Sequence, residues 1–70
     1  MDMQPVASSN LSAVGYDEDN LKLRVTFRSG KTWEYNGVER ETYTALMNAG
    51  SIGSAFHHMI RGQYPGIPVI

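Results

Sequence analysis

The sequence predicts an α+β fold: a three-stranded antiparallel meander with two short helices packed on one face, in the order β-β-β-α-α. Three observations predict it. Leu21, Leu23, Val25 and Phe27 alternate with Lys22, Arg24, Thr26 and Arg28, the period-2 pattern of a half-buried strand. Turn-forming residues bracket that strand, Asp17-Glu18-Asp19-Asn20 before it and Ser29-Gly30 after it. Beyond Asn36-Gly37 the apolar spacing becomes helical, first at Tyr43, Leu46 and Met47, then at Ile52, Phe56, Met59 and Ile60.

Residues 1–10, with Pro5 and the polar Ser8-Ser9-Asn10 cluster, read as a lead-in arm. The first strand runs from Leu11 to Asp17. Val14 and Tyr16 share its inner face, and Gly15 marks a bulge or a close backbone approach. A four-residue acidic turn pairs Tyr16 with Leu21 and Val14 with Leu23. The third strand, Lys31 to Asn36, follows Ser29-Gly30. Glu39 and Glu41 place negative charge at the start of the first helix, with Val38 one turn before Tyr43. Asn48-Ala49-Gly50 stops that helix. Ser51 is the N-cap of the second helix, Arg61 lies in its last turn, and Gly62 is the C′ residue. The tail from Gln63 to Ile70 carries two prolines and is expected to be extended. Its Ile67, Val69 and Ile70 either dock on the domain or form apolar surface for a partner.

The hairpin at Ser29-Gly30 decides where the central aromatics point, because a one-residue register change swaps strand faces. A two-residue loop sets Trp33 and Tyr35 beside Arg24 and Thr26. A three-residue loop, Arg28-Ser29-Gly30, pairs Phe27 with Lys31 and sets both aromatics beside Leu23 and Val25. The second arrangement is favoured, because a type I turn followed by left-handed Gly needs no positive φ at Ser29. It also gathers Lys22, Arg24, Arg28, Thr32 and Glu34 on the opposite face.

Seventy residues make one domain, spanning 1–70, with a core over about 6–65 and extended arms at 1–5 and 66–70. Hydrophobic residues at 41% and charged residues at 19% give globular composition rather than disorder. No apolar run approaches the roughly 20 residues that span a bilayer. The N-terminus lacks a secretory pattern. Cysteine is absent, which points to a reducing, cytoplasmic setting and excludes thiolate metal sites. A net charge of −1 argues against coating nucleic acid by bulk electrostatics, though a local basic face remains compatible with it.

The strongest candidate contact surface is the basic strand face of Lys22, Arg24 and Arg28, with Lys31 at the turn. Such a stripe can track a phosphate backbone, and it can equally serve as the solvated side of an amphipathic strand. Trp33 and Tyr35 are either a stacking platform or core, and the favoured register makes them core. Ser51 and Gly53 at a helix start, with the more distant Arg61, form a weaker anion site. The same Gly-Ser sequence also serves as a tight turn between packed helices. His57 and His58 point about 100° apart on a helix, and no carboxylate lies between Glu41 and the C-terminus. No metal or other cofactor is therefore expected, and His57 is read as structural. No Ser-His-acid set survives the spacing, so no catalysis is expected either.

Ser8-Ser9, Val14-Gly15-Tyr16-Asp17, Leu23-x-Val25-x-Phe27-x-x-Gly30 and Trp33-x-Tyr35-x-x-Val38 together resemble the KTSC domain. Tyr43, Leu46, Ala49-x-Ser51-x-Gly53, Phe56, Ile60-Arg61 and Tyr64-Pro65 extend the resemblance over roughly residues 6–65. The family takes its name from the C-terminus of some lysyl-tRNA synthetases and includes stand-alone bacterial and phage proteins. The resemblance implies no catalytic set, and RNA binding is the role its synthetase association suggests. Trp33 stands where Tyr is typical, Glu39 where Pro is common and His57 where Asn is common.

Two functional readings follow. In the first, a non-catalytic module binds RNA or tRNA through the basic sheet face. In the second, an accessory of bacterial or phage origin docks on a host protein through the apolar tail or an open sheet edge. The first predicts binding to nucleic acid at low salt, and the second predicts protein partners that survive nuclease treatment. Either module is expected to be a monomer or a weak homodimer joined through an edge strand, with no membrane association.

Overall fold

Five antiparallel strands cross a single sheet in chain order in the computed structural model, which describes residues 1–69. They are β1 (Met3–Pro5), β2 (Leu11–Asp17), β3 (Lys22–Phe27), β4 (Thr32–Asn36) and β5 (Gly66–Val69). Two helices, α1 (Arg40–Met47) and α2 (Ile52–Met59), lie between β4 and β5 in sequence. The α+β class and the helix pair match expectation, whereas the sheet has five strands rather than three. Both arms add an edge strand: Met3 pairs with Gly15 on one side, and Ile67 pairs with Glu34 on the other. Each is short and carries a proline, and that combination hides a strand from periodicity while suiting an edge. Ile67 and Val69 therefore dock through backbone pairing, and Ile70 lies outside the described residues.

The β3–β4 hairpin has the three-residue loop. The Phe27 amide donates to the Lys31 carbonyl at 2.8 Å, and the Gly30 amide donates to the Phe27 carbonyl at 2.9 Å. Gly30 has φ +97°, the left-handed conformation that closes such a loop. Leu23 consequently faces Tyr35, and Val25 faces Trp33.

The β2–β3 turn differs from expectation by two residues, since Tyr16 pairs with Leu23 and Val14 with Val25. Asp17 still pairs, with Lys22, and its carboxylate accepts bonds from the Asn20 amide and side chain at 3.3 and 2.8 Å. These bonds draw the chain into a tight turn, and Leu21 closes it at φ 54° instead of opening the strand. A shift of two leaves the paired side chains of Val14, Tyr16, Leu23 and Val25 on their expected face, while Leu21 moves out of the sheet into the exposed turn.

The core sits between the sheet and the helices. Leu11, Val14, Leu23, Val25 and Tyr35 pack against Val38, Leu46, Phe56 and Ile60, all buried. The Phe56 ring meets Phe27 and Tyr35 edge-on, each at a centroid distance of 5.5 Å. Tyr16 and Tyr43 stack at 4.5 Å, and the Tyr16 hydroxyl donates to the Val38 carbonyl at 2.7 Å. Ser51 caps α2 by accepting the Ser54 amide at 3.3 Å. Helix α2 ends at Met59 with Ile60 as its C-cap, so Arg61 follows the helix rather than lying in its last turn.

Candidate nucleic-acid interface

The pairing of Arg24 with Glu34 across β3 and β4 puts a carboxylate in the middle of the expected basic stripe. Arg24 Nη2 lies 2.7 Å from Glu34 Oε1, and Lys22 Nζ lies 3.7 Å from Oε2. Glu34 is buried at 7% exposure on the sheet face away from the helices. The Arg24 hydrogen bond and the two nearby cations hold its carboxyl below the usual range, against the opposing effect of burial. A depressed carboxyl contributes stability that is present above its unfolded pKa and lost as pH falls through the folded one. Glu34→Gln is therefore expected to cost about 1 kcal/mol near neutral pH. It should also flatten the acid side of the stability profile, as urea unfolding from pH 7 to pH 2 would show. An unchanged profile would remove this pair from the account of stability.

The remaining charges segregate along the strands. At one end of the sheet Asp17, Glu18 and Asp19 form the β2–β3 turn, and Glu39 and Glu41 flank the start of α1. Leu21 and Val38 link these two regions by a 2.9 Å backbone bond, and Arg40 reaches Glu18 at 3.4 Å. At the opposite end lie Arg28 and Lys31 in the β3–β4 turn, and Arg61 beyond α2. Among the described residues these three cations have no carboxylate partner. Arg28 has a structural role there too: its Nε donates to the Ser8 carbonyl at 2.6 Å, and its amide donates to the Asn10 carbonyl at 2.8 Å.

Two neighbouring clefts open at this basic end, both lined by Phe27 and Arg61. One, of about 360 Å³, is walled by Phe27, Trp33, Tyr35 and Tyr64, with Arg61 at its side. The other, of about 330 Å³, is lined by Asn10, Arg28, Ser29, Gly53 and His57 among others. Such volumes fall at the small end of ligand sites, about 300–1,000 Å³.

The four expected nucleic-acid residues thus divide. Lys22 and Arg24 pair with Glu34 on the open face, while Arg28 and Lys31 belong to the turn at the basic end. Of the weaker anion set, Gly53 and Arg61 meet at the second cleft, whereas the Ser51 hydroxyl is occupied in capping α2. Tyr35 is core as expected, but Trp33 is only half-buried and contributes to a cleft wall. Sequence reasoning did not single out Tyr64. Its signal was the Tyr64-Pro65 pair, and nothing local announces that the chain there folds back toward β4.

A meander sheet carrying two short helices on one face, with Arg28, Lys31, Arg61 and the open aromatics at one end, defines a class of small α+β domain. The chain belongs to the KTSC domain family, whose model it matches over residues 7–64. It is 37% identical over 57 residues to an uncharacterised protein of Stutzerimonas stutzeri, covering 81% of this chain and 80% of the relative. A protein of Tsukamurella paurometabola is 32% identical over 65 residues, covering 93% and 97% respectively. The crystal structure of a KTSC domain protein from Yersinia pestis superposes with a TM-score of 0.96 at 35% identity, covering 99% of this chain and 97% of that one.

Proposed function

We propose that the protein is a cytoplasmic, non-catalytic module that binds nucleic acid through its basic end. The supporting observation is charge segregation. Arg28, Lys31 and Arg61 lack carboxylate partners among the described residues and gather at one end, while five carboxylates occupy the other. A net charge of −1 understates the field an anionic strand meets on approaching the turn of β3 and β4. The open sheet face offers less, because Glu34 offsets one of its two cations. The protein-docking reading has less support, since the tail's backbone is paired in β5 and both edge strands carry proline, although the Ile67 side chain stays half exposed.

Anisotropy titration of labelled single-stranded oligonucleotides and tRNA at low and moderate salt tests the proposal. Binding should weaken with salt, with a log–log slope of about −2 for three phosphate contacts to a single strand. Lys31→Gln/Arg61→Gln removes two cations whose side chains make no hydrogen bond or ion pair among the described residues. It is expected to weaken binding about tenfold or more and to reduce the slope by about 1.4. Lys22→Gln should leave affinity within about twofold, because this lysine already faces Glu34. A larger loss from Lys22→Gln would relocate the interface to the sheet face. Absence of binding even at low salt would end the nucleic-acid reading.

A further inference from the structure

The geometry points to the aromatic cleft of Trp33 and Tyr64 as a receptor for one unpaired base of a single strand, with the adjoining phosphates held between Arg61 and Arg28. This inference rests on the nucleic-acid reading and specifies its ligand. Phe27 and Tyr35 are fixed as walls by the edge-on Phe56 ring. Trp33 and Tyr64 are only partly buried and line the cleft, with the Tyr64 hydroxyl 3.4 Å from that of Thr42. In a domain this small, a tryptophan left half-exposed beside a void of about 360 Å³ leaves much apolar surface unused. That void suits one planar ring system rather than an extended apolar segment.

Charge selects the occupant. Arg61 lines this cleft and the neighbouring one, where Arg28 joins it, so two guanidinium groups adjoin the aromatic pocket. An apolar peptide would leave those guanidinium charges without an anionic partner, although Arg28 keeps its bond to the Ser8 carbonyl, whereas a strand presents a flat base and adjoining phosphates. A base stacks on an aromatic side chain whatever its identity, because every base has a π-face. Duplex RNA has its bases stacked internally and cannot supply one. A free mononucleotide fills the pocket but does not reach Arg28 and Lys31 with further phosphates.

Trp33 is the only tryptophan in the chain, so tryptophan emission, excited selectively over the four tyrosines, reports on this cleft. The test titrates the intact protein with a ten-nucleotide single strand, a duplex of the same length, an abasic strand and a mononucleotide. Anisotropy is followed in parallel with Trp33 emission. The expected result is that the single strand quenches Trp33 and binds about tenfold or more tighter than the abasic strand and the mononucleotide. Tyr64→Ala should weaken the single strand about tenfold while leaving the abasic strand unchanged, and Tyr64→Phe should restore binding. Should Tyr64→Ala prove unstable, the wild-type comparison of intact and abasic strands decides the matter without it. Equal binding of all polyanions with no quenching would overturn the base receptor while leaving electrostatic binding intact. A mononucleotide as tight as the strand would overturn the strand assignment. Failure of every probe to bind would overturn the nucleic-acid reading itself.

Discussion

Leu46→Ala is expected to destabilise the protein by about 2–5 kcal/mol, the usual cost of emptying a well-packed leucine site. Leu46 is completely buried and is the only fully enclosed residue that α1 contributes to the core. The helix has eight residues and no side-chain N-cap bond, so it has little stability apart from docking. A domain of this length has only about 4–10 kcal/mol in total, so the variant stands near its unfolding transition. Its melting temperature should fall by at least about 8 °C, and the α1 amides should exchange well before those of β3. Thr44→Ala, on the exposed side of the same helix, should change stability by less than about 0.5 kcal/mol. A Leu46→Ala cost below about 1 kcal/mol would mean that α1 is held chiefly by the Tyr16–Tyr43 stack.

The parts of this fold that were legible in the sequence are those governed by local rules. The alternation from Leu23 to Phe27 specified β3 and its two faces, and the preference of Gly30 for positive φ specified the hairpin register. Ser51 announced the start of α2, and the acidic run announced a turn. The register of that turn was not legible, because Leu21 resembles the first apolar residue of β3 in pattern alone. Only the bonds from Asn20 to Asp17, and the Val38 amide donating to the Leu21 carbonyl, show that Leu21 belongs to the turn. The edge strands were hidden for a different reason. Met3–Pro5 and Gly66–Val69 are too short for a period-2 signal, and β5 is paired with a strand that lies beyond both helices in sequence.

The candidate site was legible as a set of residue types but not as an arrangement. Arg28, Lys31 and Arg61 were visible as cations, yet their separation from Lys22 and Arg24 depends on Glu34, which lies across the sheet from Arg24. Trp33 was expected to be interior because its strand face is interior. The two short helices leave that part of the face incompletely covered, so correct register did not imply full burial. Tyr64 enters the cleft only because the chain after α2 turns back to lay β5 against β4.

That return path makes Gly66 a sensitive position at the edge of the core. A β-carbon at Gly66 would stand 2.5 Å from Cε2, 2.9 Å from Cδ2 and 3.2 Å from Cζ of the Tyr35 ring. Tyr35 cannot yield easily, since it is 7% exposed and Phe56 meets it edge-on. Gly66→Ala must therefore displace either the ring from the core or β5 from the sheet, at an expected cost of about 1–3 kcal/mol. Displacement of β5 is the easier route, because that strand contributes four residues and ends the sheet. Trp33, paired with Pro68, should then become more exposed, with red-shifted emission and faster exchange of the β4 amides. Combining Gly66→Ala with Tyr35→Leu distinguishes a steric cause from a conformational one. If the ring is the obstacle, the double variant is less destabilised than the sum of the two single changes. Strict additivity would instead assign the cost to the backbone of Gly66, and a change under about 0.5 kcal/mol would show that β5 accommodates the methyl group without leaving the sheet.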